Sequence, residues 1–247
     1  MTETSKAILL VADISGYTKF MRLHAISTSH AKQITVRLLK SIIFTSKPPL
    51  KVAEVEGDGV FFYAVSSEKD IKETAKEVKS QVVSFFTAFN NEITALKKVK
   101  ACVCDACTNV GDLKLKQVIH TGEVAIERIE RFEKLFGIDV ILVHRMLKNS
   151  IPDHEYVSMT DPMYAAFGDF YGLTPERHKE DLEGVGTVEM LVFYPSRLPA
   201  TQHSIEAESS QPAISKTFTW KVNMHARTLL DLLGVYRIRR VFRNLPA

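Results

Sequence analysis

Residues 68–96 set Ile71, Ala75, Val78, Val82, Phe85, Phe86, Phe89, Ile93 and Leu96 along one stripe at helical spacing, with charged and polar side chains around the rest of the turn. A helix this long with so broad an apolar face must be covered by an extended apolar layer, and the flanking segments supply strands for one. Residues 7–12 are a continuous apolar run ending in Asp13-Ile14-Ser15-Gly16, the pattern of a buried strand meeting a tight turn. Residues 51–56 and 60–65 flank Gly57-Asp58-Gly59, residue types that tolerate the positive φ that a hairpin turn needs. Helical spacing recurs over 31–44 through Ile34, Leu38 and Ile42, and Pro48-Pro49 stops it. Residues 113–120 and 123–129 predict a second hairpin around Thr121-Gly122, 140–147 a further helix and 188–194 a late strand. This order predicts an α+β sandwich with a largely antiparallel sheet and helices on one face, and argues against a doubly wound parallel sheet.

The 247 residues are 45% hydrophobic and 25% charged, which excludes disordered, collagen-like and coiled-coil classes. Three cysteines are too few for an extracellular disulfide framework. The first apolar run is too short and wrongly flanked for a signal peptide, and no stretch approaches the ~18 apolar residues of a membrane span, so a cytoplasmic protein is expected. A net charge of +3 gives no whole-molecule field toward nucleic acid, and no such partner is expected. The charge is unevenly placed: Lys216, Lys221, Arg227, Arg237, Arg239, Arg240 and Arg243 are opposed only by Asp231 after residue 215. Residues 199–215, rich in Ser, Gln, Glu and Pro, read as a polar linker between a domain at 1–198 and a basic amphipathic helical tail at 216–247. The tail interleaves its cations with Trp220, Leu229, Leu233, Tyr236 and Phe242, and docking on the mildly acidic body is favoured over contact with a membrane surface or a dimer contact.

Asp13 ends a buried strand and Asp58 tips a hairpin that pairs naturally beside it. If both face one crevice, two carboxylates reach one or two divalent cations; Mg²⁺ commonly takes one or two carboxylates and completes its shell with substrate phosphates. The turn through Gly16, Tyr17 and Thr18 then presents backbone N–H groups to a phosphate. Singly, each aspartate is also ordinary turn or capping chemistry.

Four motifs in order carry a resemblance: Val11-Ala12-Asp13-Ile14-Ser15-Gly16-Tyr17-Thr18, Glu54-Val55-Glu56-Gly57-Asp58, Ile119-His120-Thr121-Gly122-Glu123-Val124, and Gly137 with Arg145 eight residues later. Over residues 5–195 the chain resembles the class III adenylate and guanylate cyclase catalytic domain, and within it a bacterial branch without an assigned activity. The resemblance implies a ferredoxin-like cyclase sandwich. It implies that Asp13 and Asp58, with the backbone of Ile14, hold Mg²⁺ or Mn²⁺, that Gly16, Tyr17 and Thr18 cradle the phosphates of a nucleoside triphosphate, and that Arg145 stabilises charge on the transferring phosphate. It also implies a homodimer whose sites draw aspartates from one subunit and arginine from the other.

The chain departs from that family at four places. The base-selecting positions fall at Glu54 and Lys134; Glu54 suits the N1 and N2 donors of guanine, whereas Lys134 fits neither purine pattern and is able to pair with Glu54 instead. Ile141 stands where an asparagine orients the ribose. Glu183 and Val185 replace the lysines near the last strand, one of which holds terminal phosphates. The hairpin after His120 is shorter than the family norm and lacks its glycines. Metal chemistry is kept and substrate recognition is altered, leaving two readings: a nucleotide cyclase with altered base selection, or a catalytically silent dimeric nucleotide-binding or regulatory module.

Apart from this, Cys102, Cys104 and Cys107 gather all the cysteines within six residues. They suit a thiolate site for Zn²⁺, with His120 or a second subunit as fourth ligand, or are small apolar side chains of a strand and loop. His120 reads as a structural hydrogen-bonding residue and His144 as a helix-surface histidine.

Overall fold

In the computed structural model, residues 4–22, 28–66, 71–98 and 105–197 are described. Strand β1 (Thr4–Ser15) leads through a short helix α1 (Tyr17–Arg22) to α2 (Thr28–Thr45), and the hairpin of β2 (Lys51–Glu56) and β3 (Gly59–Val65) to α3 (Ile71–Lys98). A short α4 (Asp105–Asn109) precedes β4 (Lys114–Ile129), β5 (Phe132–Phe136) and α5 (Ile138–Met146). Then come β6 (Tyr156–Thr160), α6 (Asp161–Phe167), β7 (Glu176–Leu182) and β8 (Gly186–Phe193). The linker at 199–215, the tail at 216–247, and Cys102 and Cys104 lie outside the described residues.

The sheet runs β2-β3-β1-β4-β6-β8-β7, with β5 paired to β4 off that path, and every pairing is antiparallel except β4 with β6. The alternation of β1 separates two cores. Ile8, Leu10, Ala12 and Ile14 meet Ile34, Leu38 and Ile42 of α2 and Val78, Val82, Phe85, Phe86 and Phe89 of α3. Ala7, Leu9 and Val11 face the other side, with Phe61 and Tyr63 of β3 and Val118 and Val124 of β4. Phe62 stacks on Phe85 with ring centroids 5.2 Å apart, joining β3 to the long helix. Each such buried aromatic contributes about 1.5–3 kcal/mol through the area it removes from water.

Two expectations are corrected. No hairpin forms at Thr121-Gly122: β4 runs straight through, pairing with β1 from Thr4↔Ala125 to Ser15↔Lys114. Gly122 is there for close approach, because a Cβ on it would lie 2.1 Å from Cγ of Asp139. The chain reverses instead at Glu130-Arg131, where Glu130 takes φ 54°, and returns as β5. Nor do the helices share one face: α5 packs across the sheet from α2 and α3, its Val143 and Met146 completing the core around Leu9 and Val118.

Candidate functional site

Residue alternation places Asp13, two beyond Val11, on the α5 side of the sheet. Across the strands it stands opposite Gly59 on β3 and Lys116 on β4. Its carboxylate lies over Gly59, whose imagined Cβ would sit 3.1 Å from Oδ1, and Lys116 Nζ approaches Oδ2 at 3.1 Å. The hairpin tip is tied to the same strand end, since the Ile14 N–H donates to the Asp58 carbonyl at 3.2 Å. Burial first, and then the negative charge of Asp13, push the Asp58 carboxyl up to about 6, against a backbone hydrogen bond and Lys116, which lower it. The two carboxylates therefore share one electrostatic environment. Tyr17 borders it, its phenol pushed up by burial and by the charge of Asp58. Gly16 turns the chain from β1 into α1 at φ 83°, in the region that favours glycine, and Gly16 and Thr18 are exposed.

Among the described residues no group of three or more His, Cys, Asp or Glu side chains converges as a metal cage. Two carboxylates suit a hard cation whose remaining positions go to water and phosphate oxygens, so the donor set fits Mg²⁺ or Mn²⁺.

The other expected groups line a separate cleft of about 390 Å³ between β2, β5 and α5, bordered by Glu54, Phe61, Lys134, Ile141, His144 and Arg145 and by neither Asp13 nor Asp58. Glu54 and Lys134 meet across it at 2.8 Å. That hydrogen bond holds the Glu54 carboxyl below and the Lys134 ammonium above their ordinary ranges. Ile141, 50% exposed at the mouth, offers no hydrogen bond. Arg145 donates to Glu183 at 2.7 Å, and Glu183 is 85% exposed. His144 is not a surface residue: it is half-buried, edge-on to Phe61 with ring centroids 4.7 Å apart. Burial lowers its pKa, opposed by Glu56 and Glu54.

One anchor sets α5, and hence His144 and Arg145. Asp139, in its first turn, accepts from the Glu123 N–H at 2.8 Å and meets His120 Nε2 at 2.9 Å, while His120 Nδ1 lies 2.9 Å from Thr160 Oγ1. Both ring nitrogens of His120 are thus engaged in contacts on the α5 side of the sheet. Cys107 lies on the opposite face, its Sγ 3.8 Å from Nδ1 of His30. Sequence reading missed Lys116 and Asp139. The signal for Lys116 was the period-two alternation that puts 116, 118, 120 and 122 on one face of β4.

Comparison with solved structures defines the class first. The adenylyl cyclase CyaB from Pseudomonas aeruginosa superimposes with a TM-score of 0.62 at 13% identity, covering 78% of this chain and 95% of that one. The guanylate cyclase domain of RhGC from Catenaria anguillulae, solved in complex with GTP, gives 0.56 at 14% identity, covering 77% and 97%. The fold is that of the class III cyclase catalytic domain. Within it, residues 35–156 match the family described as Protein of unknown function (DUF2652). The chain is 37% identical over 152 residues to the Uncharacterized protein Rv2561/Rv2562 of Mycobacterium tuberculosis, covering 61% of this chain and 68% of the relative. It belongs to that family, a divergent branch of the cyclase fold. Among the described residues no helix is long and apolar enough to cross a membrane.

Proposed function

We propose that the protein binds a divalent cation and a nucleoside triphosphate at a homodimer interface, with cyclic nucleotide formation as the reaction that Asp13, Asp58 and Arg145 would carry. The observation behind this is that the Asp58 hairpin tip is tied to the end of β1, with Asp13 paired to Gly59 and the Ile14 N–H donating to the Asp58 carbonyl. A bound cation supplies neutralisation of the phosphates and acidifies a coordinated hydroxyl. The chain's own part is to hold that ion with the two carboxylates, to face the phosphates with the backbone of Gly16, Tyr17 and Thr18, and to donate from Arg145 to the transferring phosphate. Because the cleft that holds Arg145 is separate from the carboxylates, a second copy supplies the missing half. Exposed apolar side chains on the β5–α5 side, Phe132 at 60%, Phe136 at 46% and Ile138 at 62%, suit such a contact.

Binding without turnover is the second reading, favoured by the ion pair that engages Arg145 with Glu183 and by Ile141 at the ribose position. Incubation of the purified protein with each nucleoside triphosphate and Mn²⁺ separates the two. Cyclic product that disappears in Asp58→Ala supports the enzyme; bound nucleotide without product supports the module. Failure to bind Mn²⁺ and nucleotide overturns both.

A further inference from the structure

Lys116 has no part in the metal and nucleotide roles described above, yet its ammonium is in direct ionic contact with Asp13. It sits directly opposite Asp13 in the β1–β4 register, so the pairing is fixed by the sheet and not by a flexible loop. The Nζ to Oδ2 distance is 3.1 Å and each side chain is only 19% exposed, so the pair is shielded from bulk water. A second acceptor, the carbonyl of Leu147 at the end of α5, lies 3.4 Å from the same ammonium.

We propose that Lys116 is a resident counter-ion of the cation site: it occupies Asp13 in the nucleotide-free protein, so that the divalent ion binds weakly alone and tightly with a polyphosphate. The inference rests on the metal-binding reading above and adds an order of binding to it. With Lys116 in place, the two carboxylates carry one net negative charge, and an incoming dication meets a like charge beside its first ligand. A polyphosphate brings negative charge of its own, offsets the ammonium and restores the attraction. The Leu147 carbonyl lets the ammonium keep a hydrogen bond while Asp13 turns to the ion, so the exchange leaves no donor stranded.

The test is Mn²⁺ binding to the full chain, read from the loss of the free-ion electron paramagnetic resonance signal, with and without a non-hydrolysable GTP analogue. Wild type is expected to bind Mn²⁺ much more tightly with the nucleotide. Lys116→Met is expected to tighten Mn²⁺ binding in the absence of nucleotide by about tenfold or more, through removal of one nearby positive charge, and to narrow the gap between the two conditions. Lys116→Arg, which keeps the charge, is expected to behave as wild type. Far-UV circular dichroism verifies folding, and Lys116→Gln replaces the methionine variant if that one is unfolded. Unchanged or weaker binding in the neutral variant, with Asp58→Ala still abolishing it, overturns the counter-ion role alone. Absence of Asp58-dependent Mn²⁺ binding in every variant, with or without nucleotide, overturns the metal reading as well.

Discussion

Replacing Gly122 by alanine tests the anchor that holds α5. The new Cβ would come within 2.1 Å of Cγ, 2.2 Å of Oδ2 and 2.5 Å of Cβ of Asp139. Relief by a small rotation is blocked, since the clash reaches back to the Asp139 Cβ and both carboxylate oxygens are engaged, Oδ1 with His120 and Oδ2 with the Glu123 N–H. Overpacking costs about 1–3 kcal/mol, and hydrogen bonds to a charged group about 1.5–3 kcal/mol each. Gly122→Ala is therefore expected to destabilise by about 3 kcal/mol. Asp139→Ala removes the same two hydrogen bonds without a clash and is expected to cost about 3 kcal/mol, the low end for two such bonds. In the double variant the alanine methyl has no carboxylate to strike, so the total should stay near about 3 kcal/mol instead of rising to about 6, a strong non-additivity. Urea titrations followed by far-UV circular dichroism measure all three at unchanged slope. Gly57→Ala is the control, because Gly57 has φ 57° with nothing within 4 Å of its added Cβ, and only backbone strain of about 1 kcal/mol is expected. Additive single and double variants, or a Gly122→Ala no worse than the control, would refute the anchor.

Three further outcomes follow from the site. Burial and the charge of Asp13 push the Asp58 carboxyl up to about 6 from its ordinary 3.8, so the folded state holds its proton more tightly than the unfolded state. Its contribution to stability is full below that lower value and is lost as pH rises through about 6. Asp58→Asn should remove this fall and stabilise the protein at pH 7 by on the order of 1 kcal/mol, allowing for solvent screening of a partly exposed group; melting curves from pH 4 to 8 check it. Glu183→Ala should leave stability within about 0.5 kcal/mol, as expected for an exposed pair, while freeing Arg145 and strengthening nucleotide binding several-fold in a calorimetric titration. Phe132→Asp combined with Ile138→Asp should shift the protein toward monomer in light scattering coupled to size exclusion, and should reduce nucleotide binding with it.

Local pattern sufficed where one physical cause decided the outcome. The stripe from Ile71 to Leu96 is helical at its own period and buried through its own area, and Gly57-Asp58-Gly59 turns by its own backbone freedom. It failed where the cause was distant. Gly122 carries the same local signal as a turn glycine, and only Asp139, brought in from another element, distinguishes close approach from reversal. The edge strand β7, running Glu176-Arg177-His178-Lys179-Glu180-Asp181-Leu182, has almost no apolar side, because its charges protect an exposed sheet edge. The carboxylates were legible through turn chemistry and motif order. Lys116 was not, since a lysine in a strand reads as a solvated residue until pairing sets it against an aspartate.

The ionic contacts of the site have a common logic. Asp13 faces Lys116, Glu54 faces Lys134 and Arg145 faces Glu183, so three charged groups of the site, one expected at the metal, one at the base and one at the phosphate, each have a partner of opposite sign. These three groups are compensated in the absence of ligand, and a ligand contact at any of them becomes an exchange of partners. The exchanges differ in difficulty. Glu183 is 85% exposed, and Glu54 and Lys134 are 40% and 48% exposed, so water solvates whatever is released and each pair is worth about 0–1 kcal/mol. Asp13 and Lys116, both 19% exposed, have less water to turn to, and their separation needs a replacement charge at the same moment. On the function proposed above, a metal–polyphosphate complex would bring that replacement in one step, and the end of β1, not the base cleft, would be the point at which a bare cation is distinguished from its nucleotide complex.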